Sequence, residues 1–289
     1  MTEPQLSRQR EAIATLRRLH FSAEPAILPT VWDSVSALVF QQAGFPAIGT
    51  GSQGIAATYG LPDGQYIPLS DMVDAVRRIV ESVPIPVSAD IEAGYGRNPD
   101  EVYANVEAFV AIGIAGCNFE DAMSGETAGL FPLSLQIERL RAVRAAAEER
   151  QMPIFINAVT DSYLTQMDPS EKLAAALERA TAYVAAGADG VYAPGMTERE
   201  DIAAFVKAVS APVNVLIRPG VPQFDELTLM GVKRVTFGSG LLRTTTKILS
   251  DLAAVLVEGD LGPFVDNFWP NSPFTELMDR SLRTRQAAE

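Results

Sequence analysis

Val87-Ser88-Ala89-Asp90-Ile91-Glu92-Ala93-Gly94-Tyr95-Gly96 opens as a short apolar strand, places acids at 90 and 92, and closes on a glycine-rich turn. Side chains at i and i+2 of an extended chain point the same way, so Asp90 and Glu92 leave the strand on one face. The glycines after them permit a sharp turn and a close approach of backbone to ligand. The next apolar run also ends acidic, in Cys117-Asn118-Phe119-Glu120-Asp121. If the two runs are neighbouring parallel strands, their carboxylates converge on one point, and such a group is costly to hold without a shared cation. Hard oxygen donors in this number suit Mg²⁺, with Mn²⁺ as the alternative. Asp90, Glu92 and Glu120 are therefore the candidate metal ligands. A lone acid at a strand end reads equally well as a helix cap or a rim salt bridge. Two adjacent acidic strand ends with a glycine turn favour the metal.

The same alternation extends both ways along the chain. Strands are expected at Ala26–Leu28, Ala47–Ile48, Val87–Ala89, Gly116–Phe119, Ile154–Asn157, Gly190–Tyr192, Val213–Leu216 and Val232–Phe237. Between them, apolar residues at three-and-four spacing predict helices over Asp33–Ala43, Asp71–Val83, Pro99–Ile112, Leu135–Arg150, Pro169–Ala186, Arg199–Val209 and Phe224–Met230, with a last one near Leu241–Val257. Asn98-Pro99-Asp100 and Asp168-Pro169-Ser170-Glu171 have the cap, proline and acidic first turn of helix starts. Eight such units predict an α/β fold, a (β/α)8 TIM barrel of parallel strands, with an N-terminal helix and a C-terminal helical extension. The whole chain, 1–289, reads as one barrel domain, the barrel spanning about 25–257 and the extension about 258–289. In such a barrel the chemistry sits where strands end.

Composition narrows the function. The 289 residues carry 23 Lys and Arg against 36 Asp and Glu, a net charge of −13. Nucleic acid and anionic membrane need basic patches, so neither is expected as a partner. One cysteine, Cys117, excludes an internal disulfide and a multi-cysteine metal site. The first 20 residues lack the apolar core of a secretory signal, and a cytoplasmic protein is expected. The sole histidine, His20, falls in the N-terminal helix, which argues against a serine hydrolase with a histidine base.

Other strand ends supply candidates for holding substrate. Gly49-Thr50-Gly51-Ser52-Gln53-Gly54 is a formal GxGxxG, but it follows the second strand and lacks the setting of a dinucleotide site. Thr50, Gly51 and Ser52 instead offer N–H groups and a hydroxyl to a carboxylate or phosphonate oxygen. Asn157 and Asn214 stand on the fifth and seventh strands, and Arg218 follows the seventh, where it could pair with a substrate carboxylate. A rim salt bridge is the competing reading of Arg218.

These positions resemble the isocitrate lyase/phosphoenolpyruvate mutase superfamily over roughly residues 25–245. The likeness rests on Val31-Trp32-Asp33, on Gly51-Ser52 with Tyr59-Gly60-Leu61-Pro62-Asp63-Gly64, and on Asp90 to Gly96. It continues through Asn118-Phe119-Glu120-Asp121, Ile156 to Asp161 and Gly187-Ala188-Asp189-Gly190. The resemblance implies Mg²⁺ at Asp90, with Glu92 and Glu120 acting directly or through water. It implies a substrate pocket at Gly51 and Ser52 with Asp63 nearby, and a homodimer or homotetramer, often with a C-terminal helix exchanged between subunits. Members cleave or rearrange C–C or P–C bonds beside a carbonyl.

The expected activity is a Mg²⁺-dependent lyase cleaving a C–C bond of a small 2-hydroxy or 2-oxo carboxylic acid through a metal-stabilised enolate. The alternatives are a mutase or hydrolase of P–C bonds on a phosphonopyruvate-like substrate, an oxaloacetate decarboxylase, and a barrel that only binds. Three departures bear on the choice. The loop Ala122-Met123-Ser124-Gly125-Glu126-Thr127-Ala128-Gly129-Leu130 lacks the Lys-Arg-Cys-Gly-His of the lyases, and also the lysine and asparagine of the mutases. Val159 stands where members usually have a carboxylate-gripping arginine. Candidate catalytic residues are Asp63, Glu120 and Tyr95, with Tyr192 and Ser124 as further candidates for proton donor.

Overall fold

The computed structural model describes residues 2–123 and 129–286. In chain order the elements are α1 (Glu3–His20), β1 (Ala26–Ile27), β2 (Thr30–Val31), α2 (Ser34–Gln42), β3 (Ile48–Thr50), α3 (Ser52–Thr58), α4 (Leu69–Ser82) and β4 (Val87–Asp90). Then come α5 (Pro99–Ala111), β5 (Gly116–Phe119), β6 (Ala122–Met123), β7 (Gly129–Leu130), α6 (Leu133–Glu149), β8 (Phe155–Val159), α7 (Pro169–Ala185) and β9 (Gly190–Tyr192). The chain continues through α8 (Arg199–Ala208), β10 (Val213–Leu216), α9 (Phe224–Met230), β11 (Arg234–Thr236), α10 (Gly240–Val257), α11 (Gly262–Asp266) and α12 (Asn271–Gln286).

The sheet runs β1-β11-β10-β9-β8-β5-β4-β3-β2, every pairing parallel. Its two end strands are one stave. Only Leu28 and Pro29 separate β1 from β2. Leu28 N–H donates to Val235 O at 3.0 Å, and Pro29 O accepts from Gly49 N–H at 2.9 Å. The first stave thus bonds β11 on one side and β3 on the other, which closes an α/β, (β/α)8-type barrel. Proline falls where the stave changes partner and has no N–H to donate.

Helices cover the outside for the reasons legible in their sequences. Asp33 accepts from Ser36 N–H at 2.7 Å to cap α2, and Asn98 accepts from Glu101 N–H at 2.9 Å to cap α5. Val76, Ile79, Phe109, Leu140 and Val143 are buried with Ile48 and Ile156 in one cluster between strands and helices. Burying a side chain of this size contributes about 1.5–3 kcal/mol. Inside the barrel the filling is polar: Ser88, Asn118, Asn157, Asn214, Thr236 and Arg234 are all buried. Among the described residues no helix is long and apolar enough to cross a membrane.

Three elements depart from the sequence expectation. Ser52–Thr58, read as a glycine-rich turn, is the helix α3. The loop after β5 forms a small antiparallel hairpin, β6 with β7, whose intervening residues 124–128 lie outside the described ones. The last expected barrel helix forms as α10, but it buries none of its own residues. In the aromatic stretch at 264–270, Phe264, Phe268 and Trp269 are exposed. Leu277 of α12 is buried within the main core cluster.

Asp121 corrects the expectation that both acids of the Glu120-Asp121 pair face the barrel mouth. Alternation along the strand sends neighbours to opposite faces. Asp121 is buried toward the helices, where it accepts from Tyr183 Oη at 2.6 Å, Arg179 Nη1 at 3.0 Å and Asp161 N–H at 2.8 Å. It ties β5, β8 and α7 together. Removing one partner of a buried pair leaves the other charge uncompensated. Asp121→Ala should therefore lose about 3–5 kcal/mol of stability in urea denaturation, while Glu120→Ala, on the opposite face, should lose much less.

Candidate active site

Asp90 is the best-fixed acid of the mouth. Its Oδ2 accepts from Ser52 N–H at 3.0 Å and Ser52 Oγ at 2.9 Å, and its Oδ1 accepts from Glu92 N–H at 3.2 Å. Asp90 N–H in turn donates to Thr50 Oγ1 at 2.9 Å. The end of β3 and the first residue of α3 therefore form a cradle for one carboxylate of β4. Gly51 is required for that cradle: a Cβ there would come within 2.8 Å of Thr30 Cγ2. Thr50 and Ser52, expected to hold substrate, bond Asp90, and Ser52 Oγ also reaches Asp63 Oδ1 at 3.4 Å.

Glu92 is buried and accepts from Tyr95 Oη at 2.9 Å. Three non-glycine residues at the mouth have left-handed backbone: Gln65 at φ 63°, Glu92 at 49° and Tyr95 at 54°. Such conformations cost of order 1–3 kcal/mol each and persist where surrounding contacts over-determine them. One such contact is visible. Arg139 of α6, buried between Phe131 and Phe119, donates to the carbonyls of Ala93 and Gly96, while Asn105 donates to Tyr95 O at 2.9 Å. The loop after β4 is clamped from behind.

Asp63, Glu92, Glu120 and Asp161 line a cleft of about 510 Å³ at this end of the barrel, with Asp90 at its base. Burial pushes all five carboxyl groups above their ordinary range, and neighbouring carboxylates add to the shift for four of them. Glu92 rises to about 8 through burial first and the charge of Asp90 second. Asp161 rises to about 8 through burial and the charge of Asp121. Glu120 is raised well above its usual value by burial and then by Asp161, Asp90 and Glu92. Sequence reasoning gave Asp161 no role: β8 ends at Val159 and Asp161 opens a short 3-10 turn, Asp161–Tyr163, so strand alternation alone does not carry it to the mouth.

The donor set suits a hard dication. All are oxygens, they repel one another, and Asp161 Oδ2 is buried without a partner. No three acids among the described residues form a ready-made ligand cluster. A Mg²⁺ ion would need only one or two of these carboxylates, since it keeps several of its waters. Asp90, held from behind by Ser52, is the residue that could ligate such an ion directly, and Glu92 and Glu120 are the acids that could join it directly or through water.

Other sequence candidates lie elsewhere. Asn157 Nδ2 donates to Asn118 Oδ1 at 2.9 Å and Asn214 Nδ2 to Thr236 Oγ1 at 3.2 Å, both inside the barrel below the cleft. Tyr192 is buried there too, bonded to Thr236. Ser124 lies outside the described residues. Arg218 is exposed on the loop after β10, and its side chain pairs with no described residue. Cys117 is buried within β5, and burial pushes its thiol up to about 12, away from thiolate chemistry. His20 is buried against Phe155, its ring bonded to Leu16 O at 2.8 Å, and burial with the charge of Arg234 lowers it to about 3.

Sequence reasoning missed Arg234. It sits inside the barrel, donating to Ser88 Oγ at 3.2 Å and Asn118 Oδ1 at 3.2 Å. Burial lowers it to about 10, while Tyr192 and Asp90 favour its charge, so it stays cationic and lowers the carboxyl of Asp90 in return. The available signal was an arginine at the centre of an otherwise strand-like run, where a charge needs buried partners.

Comparison with known proteins agrees with this geometry. The phosphoenolpyruvate phosphomutase family model matches residues 16–257. An uncharacterized Mycobacterium tuberculosis protein is 33% identical over 76% of this chain and 80% of its own length. The 2-methylisocitrate lyase of Salmonella typhimurium is 31% identical, covering 76% of each chain. The solved structure of a 2,3-dimethylmalate lyase, described as a PEP mutase/isocitrate lyase superfamily member, superposes with a TM-score of 0.82 at 26% identity, covering 96% of this chain and 99% of that one. With parallel barrel, acidic strand ends and family model in agreement, the chain belongs to the isocitrate lyase/phosphoenolpyruvate mutase superfamily.

Proposed function

We propose that the protein is a Mg²⁺-dependent lyase that cleaves a C–C bond of a small 2-hydroxy or 2-oxo carboxylic acid. The observation that carries this reading is the set of five carboxyl groups at one barrel mouth, Glu92 and Asp161 buried and Asp90 and Glu120 half-buried, all raised above their ordinary range by loss of water. Bound there, a dication supplies the positive charge that polarises the oxygens of such an acid. The chain's own part is to fix Asp90 through Ser52 and to hold Glu92 against Tyr95. Cleavage beside a carbonyl leaves an electron pair on the α-carbon, and that carbon must take a proton. Glu120, whose carboxyl is held well above its usual range, and the Tyr95 hydroxyl are the groups placed to hold it; Asp63, bonded by Ser52 Oγ at 3.4 Å, is the third. Cys117 cannot serve from inside its strand.

The assembly we propose is a homodimer or homotetramer of cytoplasmic chains. An 18-residue helix, α10, that buries nothing in its own chain is a surface awaiting cover. Val257 is 85% exposed, and Ile248, Leu249, Leu261, Val265 and Phe268 accompany it. A second copy of the chain is the occupant that needs no further partner.

Three measurements test these readings. Calorimetric titration should show Mg²⁺ and Mn²⁺ binding, and Asp90→Asn should weaken it by at least about 10-fold; no heat from either ion would end the metal reading. A group whose folded value lies above its unfolded one binds more protons when folded. Metal-free stability should therefore fall as pH rises from about 5 to about 8, the window set by the Glu92 carboxyl at about 8. Saturating Mg²⁺ should flatten that fall in thermal melts. Light scattering should give two or four times the chain mass, and Ile248→Glu with Leu249→Glu should reduce it.

A further inference from the structure

At the other end of the staves from the acids, a second recess of about 390 Å³ opens where β4 and β5 begin. Val87, the first residue of β4, lines it, as does Gly113, just before β5. Its apolar surface comes from Ala12 of α1, Val80 of α4, Ile85 and Ile112. Small-molecule pockets are typically about 300–1,000 Å³, apolar in lining, with a few placed polar groups.

Two neighbours on α1 supply those polar groups, and neither is fully matched within the chain. Arg8 is half-buried and donates through Nη2 to Val83 O. No acid among the described residues offsets the burial that lowers its pKa. A guanidinium taken out of water calls for an anion. Gln9, beside it, is 2% exposed. Its Nε2 donates to Val110 O at 2.9 Å and to Ile114 O at 3.0 Å, which fixes the way the amide faces. Its Oε1 is left buried without a partner, and a buried acceptor with no donor carries its full desolvation cost.

The other charges around the recess offset one another. Arg77 is held between Asp74 and Glu81, and Arg285 of α12 stands 3.8 Å from Glu81. Three arginines, Arg8 included, against these two acids leave one positive charge. A recess of about 430 Å³ beside the first shares Arg8 and Pro84 and adds Arg280 and Arg283. Glu276 pairs with Arg280 at 3.3 Å, so the region remains positive on a chain of net charge −13.

We infer that this recess is a binding site for a small organic monocarboxylate with an apolar body and one N–H or O–H donor. The carboxylate pairs with Arg8, the donor serves Gln9 Oε1, and the body rests on Val80, Ile85 and Ile112. The length of β4 separates this site from the acidic cleft. It needs no metal and does not depend on the activity proposed for the cleft.

The test is calorimetry on the full-length protein in EDTA. The probe is indole-3-acetate, an apolar ring system with an N–H at one side and a carboxylate at the other. It should bind with a dissociation constant of about 1 mM or tighter. 1-Methylindole-3-acetate lacks the donor and indole-3-acetamide lacks the charge; each should bind at least about 5-fold more weakly. Arg8→Met should weaken the acetate by at least about 5-fold and remove its advantage over the acetamide. A variant merely destabilised would weaken both ligands together. Arg8 also bonds Val83, so Ala12→Trp, which fills the recess from α1, is the second variant, and it should abolish the heat while leaving the circular dichroism unchanged. No heat from indole-3-acetate, equal binding of the three ligands, or undiminished binding by Arg8→Met and Ala12→Trp overturns the inference.

Discussion

Like charges crowded out of water are the constraint around which the rest of this molecule is arranged. Asp63, Asp90, Glu92, Glu120 and Asp161 sit at one end of a barrel, each raised by burial. Protons can relieve the repulsion, as can a cation, but a fold that only needed stability would not assemble such a group. The surrounding structure makes the assembly tolerable. Ser52 gives Asp90 two donors, and Arg234 places a charge beneath it, on side chains that are themselves hydrogen-bonded.

Rigidity is the second requirement, because repelling groups move apart if they can. The loop after β4 holds Glu92 and Tyr95 in left-handed conformations, and Arg139 and Asn105 grip its carbonyls from the helices behind. Asp121 does the same for the ends of β5 and β8 by accepting the N–H of Asp161. Acids of opposite parity on one strand thus divide the labour: Glu120 faces the cleft and Asp121 anchors the strand beside it.

Much of this could be read from residue order, and the parts that could not have physical reasons. Parallel staves are buried on both faces, so they stand out as apolar runs, and Gly116–Phe119, Gly190–Tyr192 and Val213–Leu216 were placed to the residue. Alternation does not account for Glu92: β4 ends at Asp90 and Glu92 has left-handed backbone, so the turn and not the strand carries it to the cleft. It does place Glu120 on the face of Asn118. The same rule would have turned Asp121 outward had it been applied to adjacent residues. Arg234 was hidden because its partners, Ser88 and Asn118, come from distant strands and meet it only across the closed barrel. Helix α3 was hidden because Gly51 and Gly54 are there for close packing, Gly51 against Thr30 and Gly54 against Trp32, and glycine in a sequence signals a turn more readily than a tight contact. Likewise, α10 has the apolar pattern of a barrel helix yet buries none of its own residues, because spacing along a chain does not say what an apolar face packs against.

The sign of the electric field also has to be reconciled with the substrate proposed. A chain of net charge −13 with its acids gathered at the cleft repels every carboxylate that approaches. A dication reverses the field only close to itself, and salt and water screen it within about 10 Å. One end of a ligand can therefore be attracted while its far end still lies in the field of the protein. Holding a carboxylate against that field therefore depends on a positive centre fixed at short range, and the two donors that Ser52 gives Asp90 are what would keep its ligand in place.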